Sequence, residues 1–174
     1  MVELKIQDYS KNKNIFSDVE STLKNILPQN AQIYHVGSTA IPDMCGKNII
    51  DILVGANNEN EFEEFKQKIS SLGFFASQNS RSEIYQFFAS KQGETADGDI
   101  HIHLCITNTE RYDEFLLLKN YLLSNKLEAI NYSNHKKELI NLGINDRKQY
   151  RETKSKYVSK LIKRAKDFFK YKRS

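Results

Sequence analysis

Ile15, Val19, Leu23, Ile26 and Leu27 recur at helical spacing and predict a first helix from about Ser10 to Leu27, closed by Pro28. The β-formers of Ala31 to Val36 predict a short strand, broken by Gly37-Ser38-Thr39, and residues 40–46 read as a loop around Pro42. Asn48 to Val54 is almost continuously apolar. It predicts a strand buried on both faces, with one carboxylate, Asp51, in its middle. Phe62, Phe65, Ile69 and Leu72 predict a second helix over 59–72, ended by Gly73. Extended segments are expected from Phe74, over 84–89 and, after a polar loop at 91–98, over 99–107. In the last of these Ile100, Ile102, Leu104 and Ile106 alternate with Asp99, His101, His103 and Cys105. The polar set is expected to look into a cleft or solvent. Three helices follow, over 110–124, 126–142 and 146–170. The stripe of Tyr150, Tyr157, Val158, Leu161, Ile162, Ala165 and Phe168 on the last one reads as core packing. The order α-β-β-α-β-β-β-α-α-α predicts an α+β fold, a small mixed β-sheet flanked by helices with further helices at the C-terminal end.

The chain of 174 residues has length for one domain, and no repeat, low-complexity tract or Pro/Gly-rich linker divides it. Charged residues are 28% and mean hydropathy is −0.61, a globular composition. No apolar run approaches the roughly 18 residues of a membrane span, and the N-terminal residues do not resemble a secretory signal. Two cysteines, Cys45 and Cys105, without a CxxC exclude a disulfide scaffold and a four-cysteine zinc site. Reduced thiols and a cytoplasmic location are the expectation. The net charge of +4 hides an asymmetry. Residues 147–174 hold twelve Lys and Arg against Glu152 and Asp167, a net of +10. The preceding 146 residues, with fourteen basic and twenty acidic side chains, carry −6. A basic end on an acidic body suits a polyanionic partner, or it is simply the solvated face of the last helix.

Candidate chemistry concentrates in two places. Gly37 lets the chain turn sharply and admits a close ligand, and Ser38 and Thr39 offer hydroxyls and backbone N–H groups. Together they form a candidate phosphate cradle. An ionised Asp51 on a strand of Ile, Leu and Val is costly unless paired. Strand alternation would place Lys47 on its face, too far for direct contact, so that a cation or a ligand phosphate between them would satisfy both. The second place is His101-Ile-His103, two imidazoles on one strand face that can converge on a ligand or metal.

The runs His35-Val-Gly-Ser-Thr-Ala-Ile-Pro42, Lys47-Asn-Ile-Ile-Asp-Ile52 and His101-Ile-His103 resemble the GrpB family, small bacterial proteins with a nucleotidyltransferase-like fold of the polymerase-β type. The resemblance runs from about Ile6 to Phe169. Lys119-Asn-Tyr121-Leu looks like the family's Arg-Asp-Tyr-Leu. Tyr132…Lys136 and Tyr150…Lys154 look like its two helical Tyr-x-x-x-Lys pairs. It implies one domain over 1–174, with a nucleotidyltransferase-like core over 1–108 and a helical part over 109–174. It also implies that Gly37 and Ser38 grip phosphate and that Asp51 fills the first of the fold's metal-binding carboxylate positions. His35, Thr39, Lys47 and Lys119 complete the ligand-binding candidates; Asp51, His101 and His103 are the catalytic and metal-binding ones. The chain departs from the pattern at Leu53, where a second carboxylate belongs, and no carboxylate stands mid-strand beside His101 and His103. Asn48 replaces the usual Pro. Lys119 replaces Arg and loses its bidentate fork. One Asp with imidazoles suits Zn²⁺ or Mn²⁺ better than Mg²⁺.

The expected function is binding of a nucleotide or phosphorylated ligand, with metal-dependent nucleotidyl or phosphoryl transfer if the site is active. The alternatives are a binding module without turnover and an RNA-binding protein using the basic C-terminal helix, with no membrane partner. Asp51→Asn is expected to leave the fold intact or steadier, since a lone buried charge is removed.

Overall fold

The computed structural model describes residues 2–91 and 97–171. In chain order the elements are β1 (Lys5–Ile6), α1 (Tyr9–Ile26), β2 (Gln32–Val36), a 3-10 turn (Ser38–Ala40), β3 (Cys45–Gly46), β4 (Ile50–Ala56) and α2 (Glu59–Ser71). There follow β5 (Phe75–Ser82), β6 (Tyr85–Lys91), β7 (Asp97–Ile106), α3 (Glu110–Ser124), α4 (Lys126–Asn141) and α5 (Arg147–Tyr171). The expected helices are all present, each within a residue or so of its expected ends. Side chains of Asp8, Asn58, Thr109 and Asn125 cap the first four by accepting a free backbone N–H. Most of the loop expected at 91–98 lies outside the described residues.

The five-stranded sheet has the order β2-β4-β7-β6-β5, parallel between β4 and β7 and antiparallel elsewhere. Its α+β class is the expected one. Central β4 lies between two partners, and Ile52, Leu53 and Val54 are fully buried. On one face Ile50, Ile52, Val54, Ile102 and Leu104 pack against Leu23 of α1, Leu27 just after it, and Phe62, Phe65 and Ile69 of α2. On the other face Val36, Leu53 and Cys105 lie under Tyr112, with Phe115 and Leu116 of α3 beside them. The polar side of β7 is therefore largely roofed by α3, so of the cleft or solvent expected for it, open solvent is excluded. Cys105 is fully buried, and burial pushes its thiol up to about 12 although Arg111 opposes the shift.

Two features escaped the hydrophobic periodicity. β1 and β3 form a separate two-stranded sheet of two residues each, too short for any period to register. The C-terminal helices build two further cores. Ile41 and Met44 join Tyr121, Leu122, Ala129, Tyr132, Leu161 and Ala165 in one; Val2, Leu139 and Tyr150 form the other. The loop after the 3-10 turn is thereby sandwiched between the sheet and α4–α5.

Candidate functional site

The turn after β2 depends on Gly37. Its φ is 71°, in the left-handed region, and a Cβ there would run into the Asp51 carboxylate. Val36 pairs with Asp51 across β2 and β4, and Asp51 with His101 across β4 and β7. The serine-bearing turn, the carboxylate and the imidazoles therefore do meet, on the sheet face that carries α3.

Asp51 Oδ1 lies 3.4 Å from His101 Nδ1 and 3.5 Å from His103 Nε2. Burial alone would push this carboxyl up; the two imidazoles outweigh it and hold the group well below the usual carboxylate range. Asp51 is not a lone charge. His103 Nδ1 is 2.9 Å from the Tyr85 hydroxyl, which donates if Nε2–H faces Asp51. Burial lowers the His103 pKa against the pull of Asp51. Its ring packs against Phe87 and Phe115. The Arg111 guanidinium lies over the Tyr85 ring, 4.6 Å from its centre. His101 stands edge-on to Phe87, and its Nε2 is buried with no hydrogen-bond partner among the described residues.

Several expected ligand contacts are internal braces instead. His35 and Asp51 sit on neighbouring strands with opposite facing, because His35 pairs with Ile52. The His35 ring stacks on Phe16, and its Nε2 is 3.0 Å from Thr39 Oγ1. The Thr39 hydroxyl gives its one hydrogen to the Ile49 carbonyl, so His35 Nε2–H is the donor between them. Burial first, then the Lys119 charge, push His35 down to about 4, against a weaker pull from Asp51, so it is neutral at pH 7. His35 and Thr39 thus tie the turn to the chain entering β4. Lys119 lines a separate hollow of about 300 Å³ with His35, Tyr9, Lys13 and Phe16. Lys47 lies outside β4, and Asn48 has φ 59°, so strand alternation does not set its direction. Its side chain is exposed, yet burial and the charge of Lys154 lower its pKa while Asp51 raises it.

The sequence reading did not select Lys136 or Lys154. Lys136 is only 2% exposed; its Nζ donates to Ser38 Oγ at 2.9 Å and also to the Cys45 carbonyl. It lies over the Tyr132 ring, 4.6 Å from the centre. Burial pulls it down to about 7, with Lys154 lowering it further and Asp51 opposing. Lys154 is half-buried, is lowered by burial and by Arg151, and is raised by Asp51. The signal was the two Tyr-x-x-x-Lys pairs. Four residues apart share a helix face, so Lys136 and Lys154 lie on the same faces of α4 and α5 as Tyr132 and Tyr150, each anchored in a core.

A divalent cation does not fit this set. Among the described residues no three His, Cys, Asp or Glu side chains form a group able to hold a metal ion. Leu53, at the second carboxylate position, is fully buried in the apolar cluster with Val36, Cys105 and Tyr112. Both imidazoles already address the same Asp51 oxygen.

Fold and site together define an α+β protein with a mixed five-stranded sheet and a carboxylate–imidazole set beneath α3. The chain belongs to the GrpB family, whose profile, described as GrpB protein, matches residues 3–164. It is 26% identical over 166 residues to the glutamate-rich protein GrpB of Alkalihalophilus pseudofirmus, covering 92% of this chain and 94% of that one. A UPF0157 protein of Halalkalibacterium halodurans is 26% identical over 152 residues, covering 87% and 76%. The crystal structure of the conserved protein GrpB from Enterococcus faecalis has the same fold, with TM-score 0.81, 23% identity and coverage of 96% and 99%. The Cid1 poly(U) polymerase bound to MgGTP is a distant partial likeness, with TM-score 0.47 and 17% identity over 68% of this chain and 39% of that one. Among the described residues no helix is long and apolar enough to cross a membrane.

Proposed function

We propose that this protein binds a nucleotide or another phosphorylated ligand at the Gly37-Ser38 turn. The observation that carries the reading is the Lys136 ammonium held on Ser38 Oγ at 2.9 Å; Lys47 and Lys154 are further cations that feel the Asp51 charge. Ammonium groups drawn out of water repel one another, and an anion among them relieves both costs. The Gly37 turn leaves its backbone exposed beside them. Asp51, with His101 and His103, faces the same turn and supports a second reading, transfer of a phosphoryl or nucleotidyl group with the carboxylate–imidazole set as base.

Titration calorimetry with ATP, GTP, UTP and inorganic triphosphate, followed by chromatographic analysis of products, separates the readings. Saturable binding is expected, weakened about tenfold or more by Lys136→Met, which removes a charge-assisted contact. Binding without product leaves the ligand site standing and ends the transfer reading. No binding of any phosphate compound overturns both.

A further inference from the structure

The fold's expected divalent metal and the residues present disagree, and the disagreement has a direction. The site has one carboxylate where two or three would hold a metal. That carboxylate is engaged by His101 and His103 on one oxygen and packs against Gly37 with the other. Lys136 stands at the turn beside it, its Nζ donating to Ser38 Oγ at 2.9 Å and to the Cys45 carbonyl, and Lys47 and Lys154 also feel the Asp51 charge. Hard cations take oxygen ligands and dehydrate reluctantly. A dication here would meet imidazoles and the Lys136 ammonium, with buried Leu53 where a second carboxylate would stand.

We infer that the ligand is taken up as a free di- or triphosphate anion, without a divalent cation, its charge met by Lys47, Lys136 and Lys154. The inference rests on the phosphate-binding reading above and specifies the ionic form of the ligand. The three amines come from three separate elements: the β3–β4 connection, α4 and α5. Lys136 is fixed by Ser38 and the Cys45 carbonyl, which β1 and the Gln7 side chain hold in place through Gly46. Lys154 is placed by Tyr150 one turn before it and by Leu161 two turns after it, both buried. Lys136 is thus held in place before any ligand arrives. Magnesium complexation removes two charges from a nucleoside triphosphate, and those charges are what the lysines recognise.

The test is calorimetry of the full chain with ATP as the probe, in EDTA and then in excess Mg²⁺ or Mn²⁺. Affinity is expected to be greatest in EDTA and to fall severalfold in either metal. In EDTA, Lys154→Gln is expected to bind about tenfold more weakly, and Lys154→Arg to bind like the parent chain. Circular dichroism confirms that both variants fold. Binding that appears only with metal, or tightens more than about threefold on adding it, overturns the inference but keeps the phosphate site. An unchanged affinity in folded Lys154→Gln overturns it as well. No binding in any arm overturns the phosphate-binding reading itself, and the inference with it.

Discussion

Three side chains set the behaviour of the site, and each has a sign that can be measured. Gly37→Ala places a Cβ at positive φ and against the Asp51 carboxylate, so a loss of about 1–3 kcal/mol is expected in urea denaturation. Asp51 is held ionised by its imidazole partners, so its folded pKa lies below the unfolded one. Its contribution is full above the unfolded value near about 4 and fades as the pH falls through it. Asp51→Asn is therefore expected to be less stable at pH 7, by about 1–3 kcal/mol. The gap to the parent should close on acidification. This reverses the gain in stability expected for a lone buried charge. Lys136 donates to Ser38 Oγ and the Cys45 carbonyl and lies over the Tyr132 ring, and burial, with the charge of Lys154, pulls its pKa down to about 7 against Cys45 and Asp51. Above that pH the amine loses its charge. Affinity for ATP should thus decline between about pH 6 and pH 8, and the decline should be absent in Lys136→Met.

At the level of elements, the site is as good as the docking of α4 and α5. α5 is seated by Leu161 and Ala165, both fully buried, and by Tyr150. Ion pairs of Arg164 with Glu128 and of Lys166 with Glu110 and Glu114 lie nearer the surface and add little. Leu161→Ala is expected to cost about 2–5 kcal/mol, the range for a buried leucine cavity. It should weaken ATP binding at temperatures below the melting transition, because Lys154 rides on the same helix. Denaturation and calorimetry on one preparation check both effects.

Across the whole molecule, the charge asymmetry divides into two parts. Lys154 is half-buried and feels the Asp51 charge, whereas Lys156, Lys160 and Lys163 are exposed on α5. Lys172 and Arg173 lie outside the described residues. Replacing Lys156, Lys160 and Lys163 together with Gln is expected to leave ATP affinity within about twofold, since charges exposed to solvent are strongly screened. A gel shift of the same variant with RNA asks separately whether the outer face binds a polyanion. A steep dependence on salt would accompany such binding.

Local periodicity and punctuation were enough to read five helices, the strand carrying Asp51 and the alternation that puts His101 and His103 on one face, because those signals depend only on neighbours in the chain. The turn was legible in Gly37 and Ser38 for the same reason. Facing across strands was not: His35 and Ser38 stand three residues apart, and register alone sends the His35 ring to the far side of the sheet from Asp51. Nor could spacing say that Lys136, almost a hundred residues after Ser38, would reach its hydroxyl. Long-range packing makes that contact, since two separate apolar cores must first close around α4 and α5 before a buried ammonium group has anywhere to go.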